Sequence, residues 1–337
     1  MDFLLLEKKE RQIVIEQAAI QLGISPVIVE KDFWIVFVLK LLFSESEYQD
    51  HLIFKGGTSL SKCYHIIERF SEDVDLTIKK MIFDCYVDDS ELKSFGSSKR
   101  KKYLKQLNEE TIKYVNNIVG FLKIEFKTSL NISDTWTLEV EESDLQTVYF
   151  YYPKSLESKI YGEGDYIKPR IILEFGSRGG IKPTSAIKIQ PLIGTHFKKF
   201  EQHVPVIALD YQRTFWEKVT AIHSYLNKKS LTKSNREFSR HFYDVYKLIK
   251  KDTFDLNILY EVIEDKIMYF RDRQAQYEKI KQGELILIPD GQQRKEIEQD
   301  YQKMGIMIHD KKKPSLEEIL IQFQIFQVKT NKLLLNP

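Results

Sequence analysis

Two carboxylates, Asp73 and Asp75, stand two residues apart in a run that reads as a strand over 73–78. Alternate residues of a strand face the same way, so both acids project from one face while Val74 and Leu76 turn into a core. Acids gathered on one face repel each other unless a cation lies between them. Magnesium suits such a pair, because it takes a few carboxylates and completes its shell with phosphate oxygens and water. A solvated strand face is the plainer account of an isolated Asp-x-Asp. Here the upstream residues supply a context. A short strand over 51–54 runs into Gly56-Gly57 and then a helix over about 58–68. A glycine turn opening a helix leaves backbone N–H groups for phosphate, and Thr58 and Ser59 add hydroxyl donors. Lys55 and Lys62 flank the turn and read as solvated; Cys63 reads as a small core residue.

The elements that must hold these residues change character along the chain. Residues 8–22 read as a helix. Ser25-Pro26 announces a second, an N-cap residue followed by proline at the first helical position, and its body over 27–43 is apolar nearly all round after Glu30-Lys31-Asp32, hence buried. A helix with a basic start covers about 97–119. From 121 to 208 the texture is β, with aromatic and β-branched alternation over 135–152, a strand over 170–175, and turn signals at Gly162, Gly164, Gly179 and Gly180. Ser177-Arg178-Gly179-Gly180 reads as a plain hairpin turn. Helices follow over about 211–227, 236–250, 255–280, 291–304 and 315–332, one of them opened by the capping box Ser234-x-x-Glu237. Three parts result: N-terminal helices over 1–50, a mixed αβ core over 51–208, and a helical part over 209–337.

The string Gly-Gly-Thr-Ser-Leu-Ser-Lys (56–62), followed by Arg69-Phe70-Ser71-Glu72-Asp73-Val74-Asp75-Leu76, closely resembles the first motif of the AbiEii toxin family of nucleotidyltransferases. These are toxins of type IV toxin–antitoxin and abortive-infection systems, related to the DNA polymerase β-like superfamily. The fifteen residues between Gly57 and Asp73 exceed the usual superfamily gap and are typical of the AbiEii group. The resemblance continues in Val29-Glu30-Lys31-Asp32-Phe33-Trp34, Trp216-Glu217-Lys218, Phe242-Tyr243-Asp244-Val245-Tyr246 and Asp300-Tyr301-x-x-Met304, with Met307. It implies an α+β fold, a polymerase β-like core with a mixed sheet and a helical C-terminal domain.

Carried over residue by residue, the resemblance implies that Gly57 and Ser59, with Gly56 and Thr58 beside them, hold a nucleoside triphosphate. It implies that Asp73 and Asp75 ligate two catalytic magnesium ions. Superfamily members add a third carboxylate from a neighbouring strand, and Glu174 in Ile171-Ile172-Leu173-Glu174-Phe175 is the candidate, although aspartate is commoner there. The alternative for Glu174 is an ordinary strand-end glutamate. Lys218 matches the group's functional helical lysine and Asp244 its later functional aspartate. From spacing alone Lys218 borders an apolar stripe (Phe215, Val219, Ile222, Leu226), where it either reaches a cleft or snorkels to water. Asp244 borders a second stripe, with a salt bridge to an arginine as its plain alternative. Ser71 either contacts phosphate or caps the turn.

Composition sets the outer limits. The 337 residues carry 51 basic and 49 acidic side chains, so no global charge points to nucleic acid or membrane. With 42% hydrophobic and 12% aromatic residues the chain has ample core material, which excludes intrinsic disorder. No apolar run approaches the ~20 residues of a membrane span, MDFLLLEKKER is too short in apolar residues for a signal peptide, and the two cysteines make neither a disulfide framework nor a zinc site. The seven histidines show no metal spacing. The expectation is a cytoplasmic protein. Locally, residues 211–252 hold ten Lys/Arg against four acids, and Lys99–Lys105 forms a second basic run. Basic patches beside a nucleotidyl-transfer site suit a polyanion such as RNA.

The expected activity is magnesium-dependent transfer of a nucleoside monophosphate from an NTP to RNA, with the 3′ end of tRNA as the acceptor the family favours. The expected partner is an AbiEi-type or other neighbouring-gene antitoxin. A protein hydroxyl is the alternative acceptor. A non-catalytic nucleotide-binding module is the rival from another class, against which Asp73 and Asp75 argue.

Overall fold

The fold is described from a computed structural model over residues 2–44, 46–161, 168–227, 238–251, 254–309 and 312–336. Its organising element is one mixed sheet of seven strands: β1 (Leu52–Lys55), β2 (Asp73–Ile78), β3 (Thr137–Glu141), β4 (Asp144–Tyr151), β5 (Ile171–Gly176), β6 (Thr184–Ile189) and β7 (Val204–Leu209). Their order is β3-β4-β5-β2-β1-β7-β6. β2 runs parallel to β5 and antiparallel to β1, and β1 runs parallel to β7. β4 is antiparallel to both β3 and β5, and β6 to β7.

The period-2 pattern separates the two faces of this sheet. Val74, Leu76, Phe54, Leu173, Val148, Phe150 and Ala208 are buried on one face. Two helices cover it: α2 (Pro26–Ser44), preceded by α1 (Lys8–Leu22), and a long helix over Ser97–Ser129. α2 is buried through sixteen of its nineteen residues, including Glu30, Lys31 and Asp32. The aromatic rings of Trp34, Phe37, Phe126 and Phe150 interlock between α2, the long helix and β4. The other face carries the alternate residues of each strand, polar ones among them, with Ile53 and Thr77 also buried there.

The chain divides into two compact units, 1–63 with 71–209 and 64–70 with 210–337. The first holds the N-terminal helices together with the whole sheet. The second holds the carboxyl-terminal helices, chiefly Tyr211–Leu226, Ser239–Ile249, Leu256–Tyr269, Gln274–Lys281, Gly291–Lys303 and Leu316–Leu335, around Phe215, Phe242, Ile263 and Phe323.

Four expectations are corrected here. The helix after the glycine turn, α3, covers only Gly56–Lys62 instead of running to 68. Residues 64–70 leave it and join the helical unit, where Arg69 forms a β-bridge to Ile308 and Phe70 N–H donates to the Met307 carbonyl. Apolar Ile66, Ile67 and Phe70 are buried in this way without helical structure. The helix expected to end near 119 continues to Ser129. Gly120 is solvent-exposed, its cost of ~1 kcal/mol is bearable, and Leu122 and Phe126 prolong the stripe begun by Val115 and Ile118. The region 255–280 is two helices, because Phe270 leaves helical geometry with φ −131° and ψ 61°. The Ser177–Gly180 turn is no hairpin: it leads from β5 to β6, which pairs with β7 at the far side of the sheet. Gly162, Gly164 and the Ser234–Glu237 capping box lie outside the described residues.

Candidate active site

β2 sets the geometry of the sheet unit's polar face. Its register places Asp73 beside Ile172 and Asp75 beside Glu174 on β5. On the other side Asp75 pairs with Lys55 of β1. Paired residues share a face, so Asp73, Asp75, Glu174 and Lys55 all belong to the face opposite the apolar core. Glu174 is exposed, Asp75 half-buried and Asp73 nearly buried.

The glycine turn meets the carboxylates directly. Gly56 has φ +75°, and a Cβ added there would lie 1.8 Å from the Asp75 Oδ2 atom. Both the left-handed backbone and the space taken by the carboxylate demand glycine. Thr58 and Ser59 are buried, and both hydroxyls donate to backbone carbonyls. Thr58 donates to the carbonyls of Asp73 and Ser71, tying α3 to the start of β2. Ser59 donates to the Gly56 carbonyl at 3.0 Å. Ser71 is buried, and its carbonyl is one end of that tie.

Sequence reasoning passed over the residues that anchor this face from beneath, the charged triplet of α2. Lys31 is completely buried, with its Nζ 3.1 Å from Glu72 Oε1 immediately before Asp73. Burial pulls the Lys31 ammonium below its ordinary range, against the pull of Glu72 and Asp73. Asp32 accepts from Lys62 Nζ at 2.6 Å and from the Leu192 N–H at 2.7 Å. Lys62 is therefore a tether between α3 and α2, where a solvated side chain was expected. Glu30 accepts from the Ser155 N–H and the Tyr161 hydroxyl, and its burial raises its carboxyl above the ordinary range. The signal for all three was a run of charge inside an otherwise apolar helix.

Lys218 and Asp244 come together in the helical unit. Asp244 is fully buried and accepts a bidentate pair of hydrogen bonds from Arg69 Nε and an Nη, both at 2.7 Å. Lys218 Nζ lies 3.0 Å from the second Asp244 oxygen and 3.5 Å from His241 Nδ1. Burial pushes the Asp244 carboxyl up, but the charges of Arg69 and Lys218 outweigh it and hold the group below the ordinary carboxylate range. His241 moves the other way: burial, then Lys218 and Arg240, hold its imidazole well below its ordinary value. Arg69 is the residue the sequence did not single out, although it opens the motif that carries Asp73 and Asp75.

The donor set of the sheet face is oxygen only, which suits magnesium and not zinc. Among the described residues no group of three or more His, Cys, Asp or Glu is arranged to hold a metal ion. What the residues would offer an ion is the pair of carboxylates Asp73 and Asp75, with Glu174 next to Asp75 in register. Cys63 is buried and its thiol is pushed up to about 12, as befits a core residue.

The basic segment is less open than its charge count suggests. Arg213 is buried against Glu217, Glu261 and Asp265, Lys218 against Asp244, and Lys247 pairs with Glu68. Lys228, Lys229, Lys233 and Arg236 lie outside the described residues. In the Lys99–Lys105 run, Arg100 is buried and donates to the carbonyls of Leu92, Lys93 and Phe95. Among the described residues no helix is long and apolar enough to cross a membrane.

Comparison with known proteins adds three findings. A model of the family described as "Nucleotidyl transferase AbiEii toxin, Type IV TA system" matches residues 38–322. No curated protein matches. Among solved structures, the nucleotidyltransferase toxin MenT4 from Mycobacterium tuberculosis H37Rv is similar at a TM-score of 0.44 and 14% identity, over 96% of this chain and 98% of that one.

Proposed function

Because this chain belongs to the AbiEii family of nucleotidyltransferase toxins of type IV toxin–antitoxin systems, we propose that it transfers a nucleoside monophosphate from an NTP to RNA with the help of magnesium. That it is a nucleotidyltransferase toxin, with an antitoxin as its counterpart, follows from the family. The magnesium, the RNA acceptor with the 3′ end of tRNA favoured, the resulting block of translation and a cytoplasmic setting are the proposed part. So is an AbiEi-type antitoxin.

One observation supports the reading most. Gly56 lies against the Asp75 carboxylate, while Asp73 and Glu174 stand beside it on the same polar face. Phosphates seated along the backbone of Gly56 and Gly57 reach the carboxylates without any intervening side chain. In this reading Asp73 and Asp75 would hold two magnesium ions, and Glu174 would help hold the ion that activates the acceptor hydroxyl. When bound, the ions supply charge neutralisation of the triphosphate and activation of that hydroxyl. The protein's own contribution is placement. Thr58 fixes the glycine turn to the start of β2, and the Lys31–Glu72 pair fixes the residue before Asp73. Lys218 is proposed as a nucleotide-binding lysine, with Asp244 holding it in place.

The test is incubation with each radiolabelled NTP, total RNA and cell lysate, with magnesium or with a chelator. Label in RNA, removed by ribonuclease and absent with chelator, is the expected result. Ribonuclease-resistant label would instead establish the protein acceptor. No label with any NTP would overturn the reading.

A further inference from the structure

The polar face does not end at Glu174. One strand further out, β4 places Thr147 beside Glu174 and Tyr149 beside Ile172, which itself pairs with Asp73. Tyr149 and Tyr151, two residues apart, therefore lie on the face of the carboxylates, and both are half-buried, as is Arg170. The Arg170 guanidinium lies 4.0 Å from the centre of the Tyr149 ring and 5.8 Å from that of Tyr151. It also donates to the Tyr151 hydroxyl at 3.1 Å. Tyr149 donates to Glu141 on β3. Two rings and a guanidinium plane are thus locked together, about 10 Å from Asp73 by the spacing of two strands.

Nothing in the core requires this cluster, whose strands bury Val148 and Phe150 on the opposite face. Its place in the strand order is informative. Reading across the sheet, β1 ends in the glycine turn, β2 carries Asp73 and Asp75, β5 carries Glu174, and β4 carries the two tyrosines. If phosphates lie at the glycine turn, the reacting hydroxyl lies on the β5 side, and what comes next is the rest of the acceptor. Aromatic rings and arginine planes are the surfaces on which unpaired bases stack.

We propose that Tyr149, Tyr151 and Arg170 form a stacking platform for a nucleobase at the acceptor end of a single-stranded RNA. The proposal rests on the reading of nucleotidyl transfer to RNA given above and adds to it the site that receives the acceptor. Hydrogen-bonding groups that would select one base are absent from the triad's flat faces, so the platform favours unpaired over paired ends more than one base over another.

The experiment uses the full chain and a fluorescein-labelled single-stranded ribo-oligonucleotide of about ten nucleotides, within the footprint range of stacking grooves. Anisotropy gives its Kd, and labelling of bulk tRNA gives KM for each NTP. Tyr149→Leu, which removes the ring but keeps bulk, is expected to weaken oligonucleotide binding about ten-fold, within the range that loss of one stacked base produces. Arg170→Ala should do the same, Tyr149→Phe should restore the affinity, and KM for the NTP should not move. Arg170→Ala keeps the test decisive if Tyr149→Leu fails to melt cooperatively. Unchanged oligonucleotide affinity in both variants overturns the platform. A raised NTP KM with unchanged oligonucleotide affinity overturns the acceptor assignment and gives the platform to the donor base. Wild-type protein that binds the oligonucleotide through Tyr149 yet labels no RNA supports the platform and sinks the transfer reading alone. Wild-type protein that does not bind the oligonucleotide sinks the platform.

Discussion

The sheet face around Asp73 and the cluster around Asp244 both gather charge, but in opposite ways. On the sheet face three acids of one sign stand in register across two strands, and the nearest of them to solvent, Glu174, is exposed. In the helical unit one acid sits between two cations at hydrogen-bonding distance, and every member is nearly or fully buried. The second buries a single acid between two cations; the first gathers three acids, with Lys55 in register beside Asp75. Charge that a fold neutralises internally is structural in its first effect. Acids gathered on one face beside a glycine turn are where an ion and a substrate have something to add.

The contrast is broken most severely at Asp73. Asp73→Asn removes a proposed ligand and should lower NTP labelling by a thousand-fold or more, corresponding to the several kcal/mol (~4 or above) that a bound cation gives the transition state. Its thermal melt should change little, since one of two neighbouring like charges is gone while Glu72 keeps the buried Lys31 paired. Retained turnover would remove the metal assignment.

Asp244 should behave in reverse. Asp244→Ala strands Arg69 and Lys218 in a buried site, and breaking a buried pair in this way costs about 3–5 kcal/mol. The urea midpoint should fall accordingly, and a midpoint equal to wild type would show that the cluster is not what holds residues 64–70 in place.

Glu174 sharpens the comparison, because it is exposed and can be altered without harm to the core. Glu174→Gln should reduce transfer about a hundred-fold, as loss of one charge-stabilising group does, with nucleotide affinity held within a few-fold. Transfer at the wild-type rate would return Glu174 to an ordinary strand residue.

The smallest effect concerns acid. The folded state keeps His241 neutral well below its ordinary value near 6.5, so the unfolded chain binds more protons beneath that pH. Stability therefore falls as pH drops from about 6.5, by at most ~1.4 kcal/mol per pH unit from this group. His241→Gln should flatten the decline between pH 6.5 and 5 in urea titrations. Asp244, held low, contributes its own loss only further down, below its unfolded value of about 3.8.

Local pattern made part of this legible. Alternation placed Asp73 and Asp75 on one face, and β2 spans the residues it was read to span, because period-2 burial is a local signal. The adjacency of Asp75 and Glu174 was not local. It depends on pairing β2 with a strand about a hundred residues later, and only the family resemblance pointed to Glu174. Charged residues in apolar surroundings were harder still. The partners of Lys31 and Arg69 could not be read from sequence, since burial of a charge is favourable only with a partner whose position the sequence does not give. The early end of α3 has the same origin: Ile66, Ile67 and Phe70 continue a helix by composition but find their burial in another unit.

The seven residues 64–70, between the glycine turn and the Asp-x-Asp strand, give the chain an unusual divisibility. The helical part starting at 210 looks like a module that could be cloned, swapped or expressed alone. Such a fragment would lack the residue that bridges to Ile308 and the guanidinium that Asp244 grips. The remaining fragment would carry those seven residues with nowhere to bury Ile66, Ile67 and Phe70. A gene cut at 209 therefore yields two incomplete proteins, and a recombination event between relatives would succeed only where it carried residues 64–70 and the helices after 210 from the same parent.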